Sequence, residues 1–150
     1  MLKEFKPALY FLGKFLAMYV AGNLLYGVFV ESFGKHPDNI TVWVTVQCNT
    51  LLQYAGFNSS SEVNPFKPTV LLKQNNRNVL NVFEGCNGVN VMIVFIAFLV
   101  AYGGPIKRIL WFLPLGLVII HGFNLLRIML LYYTALYEQE YFYYFHKYFF

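Results

Sequence analysis

The sequence is short of charge. Asp, Glu, Lys and Arg make up 12% of its 150 residues, against about 25% in ordinary soluble domains. So few charges cannot cover a water-facing surface of this size. Acidic residues are the scarcer sign, 7 against 11 Lys and Arg, for a formal net charge of +4. The basic excess sits beside apolar runs rather than in one patch, so no nucleic-acid partner is expected. Cysteine is nearly absent. Cys48 and Cys86 are too few for a disulfide framework, although the two could pair if both faced an oxidising compartment. Histidine is limited to His36, His121 and His146. They are scattered without ligand spacing, so no metal site is expected. No glycine-rich phosphate loop occurs either. No cofactor is expected.

What is present is apolar, 58% of the chain. The expected fold class is an all-α integral membrane protein, a multispan helical bundle in one membrane domain over 1–150. The first span is expected over about 8–33, opened by Pro7, which the first turn of a helix tolerates. It reads as a retained anchor rather than a cleaved signal, because its apolar run is too long. Lys14 lies near its start and can snorkel. Asn23 reads as an interhelical hydrogen-bonding residue. A moderately apolar stretch over about 40–57 reads as a packing or interfacial helix, since Thr, Gln and Asn punctuate it. The segment 58–67 reads as a Ser/Asn/Pro loop. Two short β-rich runs within 69–83 flank Asn75-Asn76, a pair suited to positive φ, and read as a small extracytoplasmic β-hairpin. That hairpin leads into Glu84-Gly85-Cys86-Asn87-Gly88. A short span over about 87–102 follows, then a last one over about 109–133 that Pro114 and Gly116 should distort. Tyr132 to Phe150 reads as an interfacial aromatic belt, and 141–150 as the start of a further span, cut off.

Charge orients these spans. Lys3 and Lys6 at one end and Lys107 and Arg108 at the second turn should both be cytoplasmic. Two crossings then lie between them, and Cys86 falls at the outer membrane edge. A helix rises about 1.5 Å per residue, so Cys86 to Tyr102 descends ~24 Å and Ile106 to Arg127 climbs ~32 Å. Cys86 and Arg127 therefore return to one level, and His146 follows on the same side. The expected localisation is the cytoplasmic (inner) membrane, multi-pass, with the site facing outward.

Each of these residues has a plain reading and a chemical one. Cys86 at a helix start could be a small filler, or a nucleophile whose thiolate the helix N-terminus favours. Arg127 inside an apolar helix is costly and suggests function, with snorkelling as its alternative. Asn124 shares its face and fits helix–helix glue as well as a site. His121 reads first as a satisfied interhelical histidine, and His146 alone as an interfacial one.

Taken together, Glu84-Gly85-Cys86-Asn87-Gly88, Asn124-Leu125-Leu126-Arg127-Ile128 and Phe145-His146 resemble the three signature blocks of the exosortase/archaeosortase family. These are multispan membrane cysteine enzymes with a Cys, an Arg and a His in this order. The resemblance covers roughly 79–150 and is closest to the short exosortase F type of Bacteroidetes. The Cys block has Asn87 where many relatives have Ser. The resemblance implies a cysteine protease or transpeptidase that cleaves C-terminal sorting signals of exported proteins. Its partners would be membrane lipid and the transmembrane tails of those substrates. The oligomeric state stays open. Cys86 would attack a peptide carbonyl, His146 would serve as general base, and Arg127 would stabilise the oxyanion. Asn124, Asn87, Gly88 and His121 would support them. The competing reading is a non-catalytic membrane scaffold or small transporter subunit using the Asn124/Arg127 polar stripe. An inactive relative that only captures tails is another.

Overall fold

A computed structural model describes residues 5–137. His146 and the expected further span over 141–150 lie outside the described residues. The described chain is mostly helical, with four α-helices and one small sheet. In order these are α1 (Lys6–Glu31), α2 (Asn39–Tyr54), β1 (Ser59–Val63), β2 (Val70–Gln74), β3 (Arg77–Val82), a 3-10 turn (Glu84–Cys86), α3 (Val89–Tyr102) and α4 (Ile106–Tyr137). They fall into two compact units. The first holds α1, α3 and α4 as far as His121. The second holds residues 32–87 and α4 from Gly122.

The first unit is built from apolar helices that bury almost nothing. No residue of α1 is buried, and α3 buries only Ala97 and Ala101. α1 and α4 are long and apolar enough to cross a membrane; α3, at 14 residues, rises ~21 Å against a hydrocarbon core of ~30 Å. Contact in this unit is made by shape. A Cβ added at Gly22 of α1 would lie 2.7 Å from Ile93 Cγ2 of α3. One added at Gly116 of α4 would lie 2.2 Å from the Phe95 ring. Small residues thus let neighbouring helices approach, as lipid-solvated helices require. α4 is assigned as one helix with Pro114 inside it, and Gly116 serves as a seat for the Phe95 ring. Asn23 differs from expectation. Its amide donates to Tyr19 O at 2.8 Å, one turn back in its own helix, so it is satisfied locally rather than between helices.

The second unit is packed in the manner of a soluble domain. Its three-stranded antiparallel sheet has the order β1-β2-β3. The expected hairpin is present as β2–β3. Asn75 (φ 48) and Asn76 (φ 65) form its two-residue turn, and two positive φ values are what a type I′ turn demands. The segment expected as a loop contributes a third strand, β1, paired Ser59↔Gln74 through Val63↔Val70. Lys73 bonds Glu62 across that pair. Between β2 and β3, Leu72 faces Leu80 and Lys73 faces Asn78, so Val79 has no opposite number and forms a bulge. Val70, Leu72, Val82 and Leu80 share the face toward the core. That core joins Leu72 and Val82 to Val44, Cys48 and Leu52 of α2 and to Ile128 and Tyr132 of α4. Tyr132, expected in an interfacial belt, is instead 0% exposed. Its hydroxyl donates to Gln74 Oε1 at 2.7 Å and lies 3.2 Å from Lys73 O, and its ring meets Phe57 edge-on. A partner for the hydroxyl is what allows a tyrosine to be buried.

Candidate active site

The site is carried by the second unit. β3 ends at Val82, and the backbone turns at once through Glu84–Cys86, closed by Cys86 N–H to Phe83 O at 2.8 Å. Cys86 therefore sits on a 3-10 turn, not in the first turn of α3. Gly88 follows in the left-handed region (φ 84) and caps α3 from outside. The expectation that a helix N-terminus activates Cys86 is corrected by this geometry. Gly85 is needed for a different reason than positive φ. A Cβ there would lie 2.4 Å from Phe83 Cε2, so the glycine lets the Phe83 ring fold onto the turn.

α4 supplies the other half. Asn124 and Arg127 lie on one face of it. Asn124 Nδ2 donates to the carbonyl of Cys86 at 3.0 Å. Arg127 Nη2 reaches Cys86 Sγ at 4.0 Å, a long N–H to sulfur contact. One side chain thus pins the backbone of the cysteine while the next brings a fixed positive charge to its sulfur. Burial is the largest influence on the half-buried Cys86 thiol and pushes its pKa up. A backbone hydrogen bond with Phe83 and the Arg127 guanidinium pull the other way, and Glu84 adds to the rise. The balance leaves a resting thiol, so ionisation calls for a base as well as the arginine.

A buried polar chain holds the turn from behind. Asp38 caps α2, accepting from the N–H groups of Ile40 and Thr41 at 3.0 Å each. The Thr41 hydroxyl donates to Asp38 Oδ2 at 2.5 Å and accepts from Asn87 Nδ2 at 3.0 Å. All three residues are buried, and the chain ends beside Cys86. Asp38 and Thr41 were not among the residues the sequence singled out. The signal for them was Pro37-Asp38 ahead of an apolar-periodic run, an N-cap pattern.

A cavity of about 140 Å³ opens at this point. Leu80, Asn81, Val82 and Phe83 form one wall, and Arg127, Ile128 and Leu131 the other, with Gly85 and Cys86 at the turn. Of the sequence-expected residues, the second unit gathers Cys86, Asn87, Asn124 and Arg127. Gly88 and the half-buried His121 belong to the first unit. Among the described residues no cluster of His, Cys, Asp or Glu could hold a metal ion.

Residues 8–149 match the family model of transmembrane exosortase. The chain belongs to the exosortase family. With its long apolar helices, that makes it a membrane protein. No curated protein and no solved structure matches it. A cysteine on a tight turn thus stands with an arginine at its sulfur and a small recess beside them, an arrangement chemically suited to thiol-based acyl transfer.

Proposed function

We propose that this exosortase is a membrane cysteine transpeptidase that cleaves C-terminal sorting signals at the outer face of the cytoplasmic membrane. Cys86 Sγ attacks the scissile carbonyl carbon; a C–S bond forms and the C–N bond breaks. The thiol proton passes through a base to the departing amine, and His146 is assigned that role from the order of the signature blocks. Arg127 stabilises the thiolate and then the oxyanion. An acceptor amine, or water, opens the thioester and restores the thiol. The topology that goes with this reading has α1 running outward, α3 inward and α4 outward, with Lys107 and Arg108 in the cytoplasm.

The observation that carries the reading is the Arg127–Cys86 contact of 4.0 Å. An arginine in an apolar helix is costly, and here it is spent on a sulfur. The test is co-expression with an exported protein bearing a short motif, one apolar helix and a basic end. Wild type should shorten it and Cys86→Ala should not, with equal amounts of both enzymes in the membrane. Processing by Cys86→Ala would reduce the site to a capture surface. Reporter fusions after Gly104 should read as cytoplasmic and those near Ser60 as external. The opposite pattern would overturn the topology and, with it, the substrate.

A further inference from the structure

The sheet has two outer edges, and they are unlike. Along β1 run three serines and a glutamate. α2 packs on that strand, with Gln53 Nε2 bonded to Ser59 O and the Ser59 hydroxyl to Asn49 O. Among the described residues, no comparable bond runs from a side chain to the β3 backbone, and β3 has only β2 as a strand neighbour. The bulge at Val79 interrupts regular pairing, as bulges on edges do. It leaves the short stretch Leu80–Phe83 as the part able to accept another strand.

The cavity lies along that stretch. Side chains of successive strand residues point to opposite faces, yet Leu80, Asn81, Val82 and Phe83 all border it. A space bordered by three successive residues of β3 and the Phe83 that follows them runs along the end of that strand to the turn, with α4 as its other wall. Its other end is Cys86 and Arg127. Its volume, about 140 Å³, is far below the ~300–1,000 Å³ of small-molecule pockets. It is close to the ~150 Å³ of an apolar cavity that takes one benzene. One side chain fits there; a helix does not.

We propose that Leu80–Phe83 is the docking strand for the substrate. The extended segment ahead of the substrate's tail helix adds to the edge of β3 by main-chain hydrogen bonds. One apolar side chain of that segment enters the recess between Leu80 and Leu131. Strand addition also leads the peptide toward Cys86, because β3 itself runs into the nucleophile's turn. The recess makes this chain selective for a medium-sized apolar residue at one substrate position. The inference rests on Cys86 as the nucleophile, and the test separates the two.

A photo-crosslinking amino acid is placed at Asn81, and as a control at Ser60 on β1, in the Cys86→Ala protein co-expressed with the tail-bearing substrate. Crosslinking at Asn81 at least ten times that at Ser60 is expected. Equal crosslinking, or more at Ser60, overturns the docking strand while leaving the nucleophile untouched. In the enzyme with Cys86 intact, Leu80→Ala should shift the preferred substrate side chain to a larger one in a scan of the segment. An unchanged preference, with Cys86 still alkylated at the wild-type rate, overturns the recess as the selective pocket. Substrate processing by Cys86→Ala alone would instead remove the nucleophile on which both rest.

Discussion

The two units solve burial in opposite ways. Among the described residues, every buried polar residue lies in the second unit: Asp38, Thr41, Thr45, Ser59, Asn87 and Asn124. The first unit buries two alanines of α3 and relies on glycine notches under Ile93 and Phe95. Lipid explains the contrast. Apolar side chains lose nothing by facing hydrocarbon, so the first unit needs only shape. A polar network needs a low-dielectric interior in which each member is satisfied, and only a unit with its own core provides one. The second unit, which holds Cys86 and Arg127, is therefore the one built from hydrogen bonds, and the apolar helices of the first unit are not.

The strongest way to break that comparison is at the sulfur. Arg127→Lys keeps the charge and loses the planar fork; substrate processing should fall by about 10²-fold or more, the loss typical of an oxyanion-stabilising donor. Near-normal turnover in the co-expression assay would mean that charge alone suffices.

Thiol labelling comes next. Cys86 is half-buried and Cys48 is 0% exposed. A small alkylating reagent should modify Cys86 in the folded protein and Cys48 only on unfolding. Burial raises the Cys86 thiol above its ordinary value, so its labelling rate should still be climbing as pH passes that value. Removing the pull of the cation in Arg127→Gln should move the curve to higher pH. Cys48 is pushed up to about 12 by burial. Its raised folded pKa gives stability that is present below the ordinary thiol range and lost as pH rises from there toward 12. Alkaline unfolding followed by Cys48 exposure checks this.

The polar chain gives smaller effects. Thr41→Val removes the hydroxyl that donates to Asp38 Oδ2 and accepts from Asn87 Nδ2, and losing the partner of a buried polar group costs about 1–3 kcal/mol. Gly22→Leu in the first unit should cost a similar ~1–3 kcal/mol by overpacking against Ile93. Thermal unfolding in detergent measures both. The smallest change is at the turn. Asn76→Gly should be neutral or slightly stabilising, whereas Asn76→Val should lose ~1–2 kcal/mol at its positive φ.

Parts of this molecule were plain in the sequence. α1 and α4 follow from apolar runs, since length and hydropathy are local properties. The Asn75-Asn76 turn is local as well. The pairing of Asn124 and Arg127 follows from helical spacing. Other parts depend on partners far away in the chain. β1 is three serines, a glutamate and a valine, and is a strand because β2 pairs with it; nothing in its own alternation says so. Tyr132 sits in an aromatic run yet is buried, because the end of β2 offers an acceptor for its hydroxyl. Cys86 looked like the first residue of an apolar helix. The structure gives it a turn of its own, since Gly88 takes a left-handed conformation before α3 begins. Asp38 announced itself as a cap, but that Thr41 then reaches Asn87 is a tertiary fact.

The bonds that fix the cysteine also bear on when its surroundings are complete. Asn87 to Thr41, Asn124 to Cys86 and Arg127 to Cys86 join residues 46, 38 and 41 positions apart. Contacts of such separation form only after long loops have closed, and topology of this kind is slow to complete. During synthesis Cys86 emerges well before Arg127 exists on the chain. The thiol is thus kept without the Arg127 contact and the apolar recess until α4 has been made and has folded back, so a half-finished chain carries Cys86 outside its folded surroundings.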